Sequence, residues 1–240
     1  MSPLQRLRIE KAAADCGFEM TPVDHDGGLK LRSARFPESL LVCLRDEDSF
    51  DISTTTAALL DGVDGAGAVT VHGWGALYDV LRQAAAHART LPNRVADAFR
   101  RGTAGLPKTT EAERVVVQRV GQNLFRAALL DYWQGRCSVT GLEVSELLRA
   151  SHIKPWAACD SDDERLDVFN GLLLAPHVDA LFDGGWISFA DDGRVLIAGA
   201  LNNDSRTRLS VQAQWCVSPL RTEHRAYLEF HRQHEFRGAD

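Results

Sequence analysis

The chain has 240 residues, 45% hydrophobic and 25% charged, with a formal net charge of −6 at pH 7. These proportions belong to ordinary globular domains and exclude a disordered, collagen-like or coiled-coil chain; the length suits one large domain or two small ones. No apolar run approaches the ~20 residues of a membrane helix, and neither half has the basic excess of a protein that grips nucleic acid by bulk charge.

In chain order, residues 1–16 read as a helix, with Leu4, Leu7, Ile9 and Ala12–Ala14 among charges and Gly17 as its stop. Short strands are predicted over 18–23, 29–36, 40–44 and 50–54, separated by turn signals such as His25-Asp26-Gly27-Gly28, and Val69–Val71 adds another. This pattern is a small antiparallel meander. Residues 73–101 read as helical with a break at Pro92, and 102–109 (Gly-Thr-Ala-Gly-Leu-Pro-Lys-Thr) read as a linker, which predicts domains over 1–107 and 108–240. The fold class expected is α+β.

The second unit opens with Thr110 before Glu111 and Glu113, the pattern of a capping box, and a long helical repeat runs to Trp133. A strand over 147–153, an acidic loop over 160–164, an apolar strand over 171–175 and a short helix opened by Pro176 follow. A hairpin around 186–197 and a closing helix over 220–236 complete the chain. Cys16, Cys43, Cys137, Cys159 and Cys216 are scattered and form no CxxC pair, so neither a disulfide framework nor a zinc knuckle is encoded. The first residues carry charges where a secretory leader is apolar, which points to the cytoplasm and to no membrane partner.

Chemistry-bearing residues converge between Ala150 and Asp183. His152 ends a predicted strand, Asn170 opens the next, and Asp179 sits in the short helix after it. Hydrolysis of a phosphodiester needs a base to activate water and a cation to stabilise charge on the phosphate. His152 suits the first task and Asp179 the second. A carboxylate favours Mg or Mn, whereas imidazole admits Ni or Zn. His224, His231 and His234 on the last helix suggest a metal cluster or, more simply, a solvated face; Lys154 and Arg165 are candidates for phosphate contact.

Four segments in order, Cys137-Ser-Val-Thr-Gly141, Ala150-Ser-His-Ile-Lys-Pro-Trp156, Glu164-Arg-Leu-Asp167 and Asn170-Gly-Leu-Leu-Leu-Ala-Pro-His-Val-Asp-Ala-Leu-Phe-Asp183, resemble the HNH endonucleases of the predicted restriction endonuclease type. The resemblance covers about residues 110–240 and takes in Gly121-Gln122, Phe125-Arg126 and Tyr227-Leu-Glu-Phe-His231. It implies a ββα-metal fold with flanking helices, His152 as the general base and Asn170 as the asparagine that holds the strand pair or the base loop. It also implies a divalent metal, DNA as substrate, a restriction or defence role, and a homodimer if both strands are cut. Asp179 stands where the family usually has its last histidine, and Ser151 where it commonly has a metal-ligating Asp or His. The second ligand is open between His177 and Asp183, and the lone Cys137 predicts no structural zinc. The rival reading is a catalytically silent DNA-binding or sensor protein on the same scaffold. For the N-terminal unit, target recognition or sensing is the expectation.

Overall fold

The computed structural model describes residues 1–63, 67–91, 93–107 and 110–238, without the side chains of residues 57 and 114. It divides into two compact units, Met1–Leu91 and Pro92–Asp240. The first begins with α1 (Pro3–Cys16), whose start is closed by a reciprocal capping box between Ser2 and Gln5. An antiparallel meander follows: β1 (Met20–His25), β2 (Gly28–Arg32), β3 (Ser39–Leu44), β4 (Ser49–Ser53) and β5 (Ala68–His72), in that spatial order. Strand alternation sends Leu29, Leu31, Leu40, Val42, Phe50 and Ile52 to one face, where Leu31 stands opposite Leu40 and Val42 opposite Ile52. The core adds Ile9, Ala12 and Ala13 from α1 and Leu77, Leu81, Ala84 and Ala85 from α2 (Trp74–Thr90). The meander is as the sequence pattern indicates.

The second unit opens with α3 (Arg94–Thr103); the helix break expected at Pro92 lies outside the described residues, as do Lys108 and Thr109 of the expected linker. α4 (Glu111–Tyr132) starts from the Thr110–Glu113 capping box read in the sequence. The sequence boundary at 107/108 differs from the division after Leu91, because Val95, Ala96 and Phe99 of α3 share one core with Phe125, Ala128 and Leu129 of α4. An amphipathic helix belongs with whatever covers its apolar face.

Next comes the segment that builds the site. β6 (Arg149–His152) runs into a loop containing the single turn α5 (Asp162–Arg165), and β7 (Gly171–Leu174) returns antiparallel to β6. α6 (Pro176–Asp183) follows with Pro176 in its first turn. Every residue of β7 is buried because the hairpin packs against both α4 and α6. The hairpin β8 (Ile187–Phe189) and β9 (Val195–Ile197), the short α7 (Asn203–Arg208) and the closing α8 (His224–His234) complete the unit. No described helix is long and apolar enough to cross a membrane.

Candidate active site

Neighbouring residues of a strand face opposite sides, and β6 uses both. His152, opposite Gly171 in the register, faces α4; Ser151, opposite Leu172, faces α6. Gly171 makes the first arrangement possible. A Cβ there would lie 2.6 Å from the Phe125 ring and 2.8 Å from Leu129, so glycine lets α4 close on the hairpin. The Asn170-Gly171 pair is therefore not a turn, the structural use that dipeptide suggests; it joins a 3-10 turn to a strand.

Phe125 is the shelf on which His152 rests, the rings 3.9 Å apart and 13° from parallel, while Trp156 meets the imidazole edge-on at 5.6 Å. Nε2 of His152 is 2.8 Å from the backbone oxygen of Arg165. A carbonyl only accepts, so Nε2 donates and Nδ1 keeps its lone pair. Burial holds the imidazole below its ordinary pKa, opposed by that hydrogen bond, so the ring is neutral at pH 7. A neutral imidazole with a committed Nε2–H is a base through Nδ1.

Arg165 is held in place by its own loop. The Arg165 side chain donates to the oxygens of Trp156 and Cys159, and Lys154 pairs with Glu164 at 2.6 Å. Both cations, candidates for phosphate contact, are thus spent on the loop. Asn170, with no exposed surface, clamps it: Oδ1 accepts from the Lys154 amide at 2.7 Å, and Nδ2 donates to the Lys154 and Glu164 oxygens at 3.2 Å. Asp167, half-buried beside Asn170's turn, accepts from the Tyr227 hydroxyl at 3.0 Å; desolvation raises the pKa of each. This pair fastens α8 to the loop.

On the other face, the Ser151 side chain stands beside the Asp179 carboxylate, half-buried on α6. Burial raises the Asp179 pKa, the Ser151 hydroxyl lowers it, and Asp183, one turn on and exposed, raises it again. His177 turns elsewhere, its ring 5.9 Å from that of Trp215. The site therefore joins Ser151 to Asp179 and sets Asp183 nearby, whereas it brings neither His177 nor His152 into contact with Asp179. Among the described residues no group of three His, Cys, Asp or Glu side chains gathers to hold a metal. Carboxylate oxygens alone fit a hard cation that keeps most of its waters, such as Mg, and do not fit zinc, which takes three or four protein ligands.

The α8 histidines do not form a cluster. His224 packs among Tyr132, Trp133 and Phe169, His231 stacks on Phe182, and His234 on Phe230. What the sequence reading missed lies on α4. Phe125, Gln122, Asn123 and Arg126, together with Trp156, wall a cavity of about 280 Å³ beside His152. Their helical spacing was visible, but nothing in it says which face meets the base.

No curated protein matches the chain. Residues 137–190, which carry His152, Asn170 and Asp179, match the family model described as HNH endonuclease, so this segment is similar to the family its motifs pointed to, and a nuclease-type function is supported.

Proposed function

We propose that the second unit is a metal-dependent endonuclease that hydrolyses DNA phosphodiester bonds. The observation that carries this reading is the state of His152: a neutral ring anchored through Nε2, with Nδ1 left as the base and the ring lining a cavity. Nδ1 takes a proton from the attacking water, and the Arg165 carbonyl then stabilises the imidazolium through the Nε2–H. Asn170 acts indirectly, by holding the loop that carries this carbonyl. Asp179 and Asp183 are the residues proposed to hold the cation, Mg or Mn; when bound, it supplies charge stabilisation at the phosphate and the leaving oxygen. Ser151 orients Asp179 for that task.

A restriction or defence role in the cytoplasm, with target recognition or sensing by the first unit and a homodimer for cleavage of both strands, is proposed from the family resemblance. The rival reading, a silent DNA-binding scaffold, draws on Ser151 at a position where the family commonly carries a ligand. Incubating supercoiled plasmid with the purified chain in EDTA, Mg, Mn, Ni or Zn separates the two. The nuclease reading expects nicked or linear product in Mg or Mn and none in EDTA. Binding without cleavage in every metal would establish the silent scaffold.

A further inference from the structure

The cavity beside His152 contains groups that the reaction above does not use. Gln122, Asn123 and Arg126 line it from α4, where Gln122 and Arg126 (i, i+4) and Asn123 and Arg126 (i, i+3) are neighbours on the helix surface. Arg126 is half-buried and its guanidinium donates to the backbone oxygens of Leu148 at 2.6 Å and Ser145 at 2.8 Å, which fixes a positive charge in the cavity wall. Gln122 and Asn123 are exposed, and neither side-chain amide makes a hydrogen bond among the described residues. Exposed amides on a helix usually just face water. These two share a cavity with the base.

That cavity is small. At about 280 Å³ it lies just below the roughly 300 to 1,000 Å³ of sites that enclose a whole small molecule, which suits contact with one part of a larger substrate. It offers the Trp156 indole as an aromatic wall and two amides that each carry a donor and an acceptor, beside the Arg126 guanidinium, whose terminal nitrogens are engaged by the backbone oxygens of Leu148 and Ser145. Gly121 sets the indole there. A Cβ at that position would lie 2.8 Å from the Trp156 ring, so only glycine lets the ring close on α4 beside Gln122. The donor–acceptor pair of an Asn or Gln amide matches the N6/N7 edge of adenine.

We propose that Gln122 and Asn123 determine sequence preference: they hydrogen-bond the base of the nucleotide beside the scissile phosphate, and that base is adenine. The proposal rests on the nuclease reading of His152, and it extends it to a choice of substrate. In this account α4 serves twice, with its buried face as the shelf for the catalytic ring and its exposed face as the reader of the neighbouring base.

The test has two arms. In the first, a randomised DNA duplex is cut in Mg by the wild-type chain, Gln122→Ala, Asn123→Ala and the double variant, and the product ends are sequenced. Adenine enrichment next to the cut by the wild type, flattened in the variants, supports the proposal; an unbiased wild type, or a bias that survives in the double variant, overturns it. In the second, run in EDTA so that no cleavage occurs, fluorescence anisotropy compares duplexes with and without adenine at the central step. The double variant is expected to bind the adenine duplex on the order of tenfold more weakly and the other unchanged. Equal losses on both duplexes would mean contacts to the backbone and would overturn the proposal. If the wild type cuts nothing yet shows this adenine-dependent difference, the nuclease reading fails and the base contact stands.

Discussion

His152 and His231 sit in nearly identical settings, and only His152 is proposed to act on substrate. Each is stacked at 3.9 Å on a phenylalanine, Phe125 or Phe182, and each directs Nε2 at a backbone oxygen, of Arg165 at 2.8 Å or Phe182 at 3.1 Å. They differ at the other nitrogen. Nδ1 of His231 lies 3.0 Å from the Ser188 hydroxyl, which donates to it because Nε2 already carries the hydrogen. Nδ1 of His152 makes no hydrogen bond among the described residues, and its ring lines a cavity. The stack and the carbonyl are common to both rings; the uncommitted second nitrogen is what sets the proposed base apart. The anchors differ as well: the His231 acceptor belongs to the two-turn α6, whereas the His152 acceptor ends the single turn α5, where Asn170 donates to the oxygen of the preceding residue, Glu164.

That last difference predicts the largest effect. Asn170→Ala strands the part-buried Lys154 amide and Glu164 oxygen and leaves the Lys154 oxygen only its weak contact with the Cys159 thiol, at ~1–3 kcal/mol for each group left unpaired. Denaturant unfolding of the second unit is expected to shift by about 3 kcal/mol or more, with the His152 anchor lost and that of His231 intact. A variant as stable as the wild type would break the distinction between the anchors. The next effect belongs to His231. Burial holds its pKa at about 4 against an ordinary 6.5, so below pH 6.5 the unfolded chain binds a proton that the folded chain refuses. The resulting loss of stability accumulates as pH falls from 6.5 to about 4 and approaches ~3 kcal/mol. Melting curves between pH 7 and pH 4.5 check this, and His231→Gln is expected to flatten the dependence while leaving cleavage in place. A smaller effect is expected on the carboxylate face: Asp179→Ala should raise the Mg concentration for half-maximal cleavage about 10- to 100-fold, read by metal titration at fixed DNA. The smallest is Gly121→Ala, which pushes on Trp156 and Phe99 and is expected to cost ~1–2 kcal/mol by thermal melting.

The sequence made the chemistry more legible than its scaffolding. The meander followed from strand alternation at Leu29, Leu31, Leu40 and Val42, and the start of α4 from Thr110 and Glu113, because those signals are local. His152, Asn170 and Asp179 stood out as residue types at motif spacing. The anchor of His152 was invisible, since it is a main-chain oxygen that any residue at position 165 supplies. Phe125 read as one more core position of α4, and its stack on the ring depends on Gly171, a partner far along the chain. The place of α3 was misread for a similar reason: Pro107 and the glycines before it look like a boundary, but the apolar face of Val95 and Phe99 belongs with α4.

The central claim is that Nδ1 of His152 takes the proton from water. Single-turnover cleavage of a DNA duplex, at saturating Mg and from pH 5 to pH 8, compares the wild type with His152→Ala. The account predicts a rate lower by ~10²–10⁴-fold in the variant, with binding retained. It also predicts a wild-type rate that stays on its plateau to below pH 6.5 before falling, since burial lowers the pKa of the base. A variant that cuts as fast as the wild type would contradict it.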